Sequence, residues 1–126
     1  MKQVVIDTNV LIYWYKTGFI PSNKDLTTIV PMFSIITKIE VLGFQHITNS
    51  EVKAINSMLF NGELVSISDN IVDQTISLRQ NYKIKTPDAI IAATALVNSA
   101  ELWTANTTDF SHIKGIQLFN PLAAGN

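Results

Sequence analysis

The sequence contains no cysteine. Disulfide frameworks, zinc–thiolate sites and thiol nucleophiles are therefore excluded. Nor is there a surplus of charge of either sign: 9 Lys and Arg stand against 10 Asp and Glu, a formal net charge of −1. Such a chain casts no overall field that attracts nucleic acid, so a polyanionic partner has to be drawn by a local patch or through bound cations. The only histidines are His46 and His112, and they lack the His-x-x-x-His spacing of a metal site. No apolar run reaches the roughly 20 residues that span a bilayer. Met1-Lys2-Gln3 leads straight into an apolar stretch, which leaves no room for a signal peptide. A cytoplasmic protein is the expectation. Neither a Gly-x-Gly-x-x-Gly nor a P-loop pattern occurs, which disfavours a nucleotide-binding fold. There is no repeat, low-complexity tract or linker, and 126 residues predict one domain over 1–126.

What is present is a chain rich enough in apolar residues, at 47%, to build a core. Val4-Val5-Ile6 predicts a strand buried on both faces, with Asp7 at its C-terminal end. Val10 to Tyr15 predicts a helix capped by Thr8 or Asn9. Lys16 to Asp25, with Gly18, Pro21, Ser22 and Asn23, reads as a loop. Leu26 to Val30 reads as a short helix stopped by Pro31, and Met32 to Ile36 as a second strand. Thr37-Lys38-Ile39-Glu40 has the capping-box pattern, followed by a helical apolar face at Val41, Leu42 and Phe44. Helical spacing continues over Ser50 to Leu59, closed by Asn61-Gly62. Leu64 to Ile67 predicts a third strand, and Ser68 caps a helix that ends near Asn81. Thr86-Pro87-Asp88 opens a further helix, with Thr86 as its cap, Pro87 at its first position and an acid in its first turn. The body of that helix, Ala89 to Val97, is apolar all round and so is buried on several sides. Glu101 to Thr104 and Ile116 to Phe119 are the fourth and fifth strands, before a tail from Ala123. Strands alternating with helices predict an α/β fold: a three-layer α/β/α sandwich around a parallel, roughly five-stranded sheet.

On this skeleton Asp7 follows the first strand and Glu40 lies one turn into the helix after the second. Asp88 opens the buried helix, and Asp109 follows the fourth strand by a short polar loop. Crossover helices run antiparallel to the strands, so strand C-termini and helix N-termini share one edge of the sheet. All four carboxylates map to that edge. Each also has a structural explanation: Asp7 as a helix cap, Glu40 in a capping box, Asp88 on a helix dipole, Asp109 in a turn. Together they would repel one another without a cation. Oxygen-only ligands suit Mg²⁺ or Mn²⁺, and a carboxylate cluster holding such ions is the usual apparatus for phosphodiester hydrolysis.

The stretches Val5-Ile6-Asp7-Thr8-Asn9-Val10-Leu11-Ile12, Thr37-Lys38-Ile39-Glu40-Val41-Leu42-Gly43, Pro87-Asp88-Ala89-Ile90-Ile91-Ala92-Ala93 and Thr104-Ala105-Asn106-Thr107-Thr108-Asp109-Phe110 resemble, in order and spacing, the four blocks of a PIN domain. The resemblance covers Val4 to about Pro121. In its compact size the chain is similar to the VapC-type toxin ribonucleases of toxin–antitoxin pairs. The resemblance implies that Asp7, Glu40, Asp88 and Asp109 bind Mg²⁺ or Mn²⁺ and carry the catalysis. It gives Thr104 and Asn106 a supporting role, and makes Asn9 the residue that steadies the first loop. Position 106 is Asn where many relatives have Asp, and whether Asp109 or Asn106 completes the site is open at this level. The implied activity is endonucleolytic cleavage of RNA by metal-activated water. The implied partners are an RNA substrate, an antitoxin protein and a second copy of the chain.

Two rivals stand beside this reading. A phosphatase with an aspartyl nucleophile needs a second Asp two residues after the first, where position 9 is Asn. A PIN-like module that binds RNA or a partner without cutting is disfavoured by the intact Asp7, Glu40 and Asp88. Lys38, Arg79, Lys83, Lys85 and Lys114 are available for phosphate contacts, with Lys38 and Lys85 favoured as neighbours of Glu40 and Asp88. Tyr13, Trp14 and Tyr15 read as packing residues, with base stacking the alternative.

Overall fold

The computed structural model describes residues 2–18 and 26–123. Its strands are β1 (Lys2–Ile6), β2 (Ile29–Ser34), β3 (Glu63–Val65), β4 (Glu101–Trp103) and β5 (Leu118–Phe119). Its helices are α1 (Thr8–Thr17), α2 (Ile35–Leu42), α3 (Asn49–Phe60), α4 (Asp69–Asn81), α5 (Thr86–Val97) and the one-turn α6 (Thr107–Phe110). All pairings are parallel, and the strand order is β3-β2-β1-β4-β5. The α/β/α sandwich with a five-stranded parallel sheet is thus the fold the sequence predicts.

β1 is the centre of this order. Its alternating side chains enter two cores: Val5 joins Met32, Leu102 and the alanines of α5, while Val4 and Ile6 join Phe33, Val41 and Trp103. All three β1 residues are fully buried, and burial of each contributes about 1.5–3 kcal/mol. On the first face, Ala89, Ala92, Ala93 and Ala95 of α5 are buried, and their small side chains let the helix lie close to the sheet. Among the described residues no helix is long and apolar enough to cross a membrane.

Several boundaries differ from expectation for local reasons. The helix predicted over Leu26 to Val30 is one 3-10 turn, Leu26–Thr28, and β2 already begins at Ile29. Pro31 is inside that strand, not its end. Pairing with β3 starts only at Met32, so the missing N–H falls where β2 has no partner on that side. β2 stops at Ser34, whose hydroxyl accepts the Ile36 N–H at 3.2 Å and starts α2; Ile35 and Ile36 are therefore helical. Lys16 and Thr17 complete α1, and Gly18, at φ 83, closes it through its N–H to the Trp14 carbonyl at 2.8 Å. The rest of the predicted loop, 19–25, lies outside the described residues. Thr86 is the first residue of α5 and not its cap; Lys85 holds the cap position without a side-chain bond.

Candidate active site at the carboxyl edge of the sheet

The strand order reverses between β1 and β4, since the chain builds β1-β2-β3 outward and then returns to β1's other side. In open α/β sheets the crevice beyond the strand C-termini at such a reversal is where ligands bind. Register fixes what stands there. Ile6 is paired with Trp103, so the next residues, Asp7 and Thr104, face one another. The ladder continues through the Asp7 N–H to the Trp103 carbonyl at 2.9 Å. The Thr104 hydroxyl donates to Asp7 Oδ2 at 2.7 Å and accepts the Asn106 N–H at 3.0 Å. Asp7 Oδ1 accepts the Thr8 N–H at 2.7 Å, which makes Asp7, not Thr8 or Asn9, the cap of α1.

Asp7 is a carboxylate at 4% exposure. Burial pushes its carboxyl above the ordinary value of 3.8; the bonds from Thr104 and Thr8 pull it back, and the charges of Asp88 and Glu40 add to the rise. Asp88, half-buried in the first turn of α5, is raised as well, by burial first and then by Asp109 and Glu40, against the pull of Lys85. Charge thus links Asp7 with Asp88 and Glu40, and Asp88 with Asp109 and Glu40.

Glu40 is not part of a capping box. Ser34 has already started α2, so Thr37 and Glu40 lie within the helix, on one face by their i, i+3 spacing. Glu40 Oε1 accepts the Thr8 hydroxyl at 2.7 Å, and Thr8 Oγ1 lies 3.2 Å from the buried Thr37 Oγ1. A hydroxyl has one proton; Thr8 gives its own to Glu40 and takes that of Thr37. Thr8 and Thr37 therefore orient Glu40, a role that sequence reasoning missed because both suit caps. The signal was the i, i+3 spacing of Thr37 and Glu40.

The supporting residues are also located. Asn9 Oδ1 accepts the Ala105 N–H at 3.4 Å, tying the turn after β1 to the one after β4. Asn106 is exposed at the cap position of α6, with no side-chain cap bond, and its carbonyl accepts the Asp109 N–H at 3.0 Å. Asp109 is in α6, which begins within the predicted loop of residues 105–108, and it lines a groove of about 500 Å³ with Asp88, Arg79, Lys83, Ile84 and Lys85. Lys38 does not join it. Two residues from Glu40 on a helix, it turns to another face and lines a groove with Asn56, Leu59 and Phe60. His112 is exposed and packs edge-on to Tyr82, ring centroids 5.2 Å apart. Trp14 and Tyr15 pack against the core, and the Tyr15 hydroxyl donates to Glu51 at 3.1 Å.

The donors fit a hard divalent cation in kind: carboxylates on several elements, two of them raised in pKa by burial and by one another. Among the described residues, however, no three Asp, Glu or His groups stand close enough to hold an ion as they are.

A sequence profile described as the PIN domain matches residues 4–116. No curated protein is similar enough in sequence to count as a relative. Among solved structures, a toxin–antitoxin complex from Klebsiella pneumoniae has a chain 30% identical, with 94% of this chain and 97% of that one covered at a TM-score of 0.72. VapBC2 from Rickettsia felis, bound to a DNA fragment from the promoter, is 20% identical over 94% of this chain and 98% of that one, with a TM-score of 0.80. VapBC-1 from nontypeable Haemophilus influenzae is 23% identical over 96% and 99%, with a TM-score of 0.78. The last two likenesses speak to the fold.

Proposed function

Because this chain belongs to the PIN domain family, we propose that it is an endoribonuclease, dependent on Mg²⁺ or Mn²⁺, built as a single domain. The observation that carries the reading is a buried carboxylate, Asp7, fixed at the strand-order reversal and raised in pKa with the charges of Asp88 and Glu40 acting on it. A buried charge is retained at such cost when it has a task. Asp7, Glu40, Asp88 and Asp109 are the residues proposed to hold the cation. The cation would lower the pKa of a water and neutralise charge on the phosphate.

The chain's own residues prepare that chemistry. Thr104 and the Thr8 N–H hold both oxygens of Asp7, so its remaining lone pairs point in a fixed direction. Thr8 and Thr37 hold Glu40. Asn9 keeps the β1 and β4 turns together, which sets the spacing of Asp7 from Asp109. His112 packs on Tyr82 and is assigned no role in this proposal.

The Klebsiella pneumoniae relative is described as part of a toxin–antitoxin complex, and we extend that context to this chain: a toxin with an antitoxin partner, acting as a homodimer in the cytoplasm. A groove of about 330 Å³ beside Glu40, walled by Ile12, Val41, Phe44 and Ile55, suits an antitoxin segment with apolar anchors and a cation for Glu40.

Product analysis tests the activity. Single-stranded RNA incubated with the protein and Mg²⁺ or Mn²⁺ should yield 5′-phosphate and 3′-hydroxyl ends, fail to react in EDTA, and still be cut by His112→Ala. Cyclic 2′,3′-phosphates that persist in EDTA would overturn the metal mechanism, because that chemistry uses the 2′-hydroxyl and a side-chain base.

A further inference from the structure

We propose that Arg79, Lys83 and Lys85 form a phosphate-binding rail that grips the backbone of single-stranded RNA beside the cleavage position; the proposal rests on the ribonuclease reading. The three cations and the acids Asp88 and Asp109 line the same groove of about 500 Å³. The molecule has a net charge of −1, so this groove, with three positive groups against two negative ones, supplies the local attraction that the whole chain lacks.

The cations are available. Among the described residues the ion pair within 4 Å joins Lys2 to Glu101, far from this groove in the chain, so none of Arg79, Lys83 and Lys85 is locked in a direct ion pair with a carboxylate of those residues. Arg79 gives one N–H to the Thr86 hydroxyl at the start of α5, and a guanidinium has five, which leaves the others for phosphate oxygens. Lys85 lies immediately before α5 and acts on Asp88; it marks where rail and acids meet. Lys83 is exposed. The floor is Ile84, packed on the core. No aromatic ring lines the groove among the described residues, so its contacts are to phosphates and not to stacked bases. The rail therefore tolerates any sequence and positions a strand, leaving the choice of cleavage site to other contacts.

Three phosphate contacts on a single strand predict that log K falls with log salt at a slope of about −2, since each contributes about −0.7. The test is fluorescence anisotropy with a labelled mixed-sequence RNA oligonucleotide in EDTA, across potassium chloride concentrations. Lys83→Gln should weaken binding and shallow the slope by about 0.7, and Arg79→Gln should do the same. Lys53→Gln, on the exposed side of α3, should change neither. Arg79→Gln also removes a bond to α5, so Lys83→Gln decides, with its melting midpoint measured alongside. Equal effects of Lys53→Gln and Lys83→Gln, or no effect of Lys83→Gln, would overturn the rail. If RNA is nevertheless cut with Mn²⁺, the ribonuclease reading stands without it. Rail-dependent binding with no cleavage in Mg²⁺ or Mn²⁺ would support the rail and overturn that reading instead.

Discussion

At the scale of the residue, Asp7 carries an electrostatic cost. Its carboxyl, like that of Asp88, is raised above 3.8. Below pH 3.8 both groups are protonated folded and unfolded, and their shifts contribute nothing. Above their raised folded values both are ionised in either state, and the folded protein bears the full penalty. Between these limits the folded state binds more protons, so their contribution to metal-free stability falls as pH rises. Asp7→Asn should therefore melt at the same or a higher temperature than wild type at neutral pH, and that difference should shrink as pH falls towards 4. Asn keeps the cap bond; Asp7→Ala loses it and should cost about 1 kcal/mol by denaturant titration. Thr104→Val leaves a buried oxygen of Asp7 without its donor and should cost about 1–3 kcal/mol. Glu40→Gln keeps an acceptor for Thr8 and should leave the fold intact while lowering cleavage at least about tenfold; unchanged activity would remove Glu40 from the site. That Asp7 and Asp88 lie near other carboxylates was legible in the sequence, because topology alone sends these acids to one edge. The hydroxyls that orient them were not, since Thr8 and Thr37 look like caps until the cap of each helix is known to be Asp7 and Ser34.

At the scale of the element, caps and close approaches decide the boundaries. The bounds of α4 and α5 fall within a residue or so of expectation, because Ser68 and Asn81 for α4 and Pro87 for α5 are local signals. Spacing alone points to Thr37 as the start of α2, whereas Ser34, a hydroxyl three residues earlier, starts it. A capping box forms instead between Thr48 and Glu51: the Glu51 N–H reaches the Thr48 hydroxyl and the Glu51 carboxylate accepts the Thr48 N–H, both at 3.1 Å. Thr48→Ala should cost about 1 kcal/mol of stability with no change in cleavage or metal response. Gly62, read only as a helix stop, has a second reason to be glycine. A Cβ there would lie 2.5 Å from the Phe33 ring and 2.7 Å from the Pro31 carbonyl. Gly62→Ala should force β3 away from β2 and cost about 1–3 kcal/mol in a thermal or denaturant melt, a contact that only the tertiary structure shows.

At the scale of the whole molecule, a nearly neutral chain divides its charge locally: Asp88 and Asp109 share a groove with Arg79 at the end of α4 and with Lys83 and Lys85 on the α4–α5 connection. Parallel strands and buried helices were readable as class and order of elements; the strand order 3-2-1-4-5, which sets Asp7 against Thr104, requires pairing that no local pattern encodes. The central claim is that the four acids form one cation site, and its most direct measurement is the melting midpoint with and without millimolar Mn²⁺. A cation that binds only the folded state raises the midpoint by mass action. The wild type should melt higher with Mn²⁺, with the gain reduced in Asp7→Asn, Glu40→Gln and Asp88→Asn and unaffected in Thr48→Ala. A wild-type midpoint that does not move, or a rise that all three acid variants keep in full, would contradict the account.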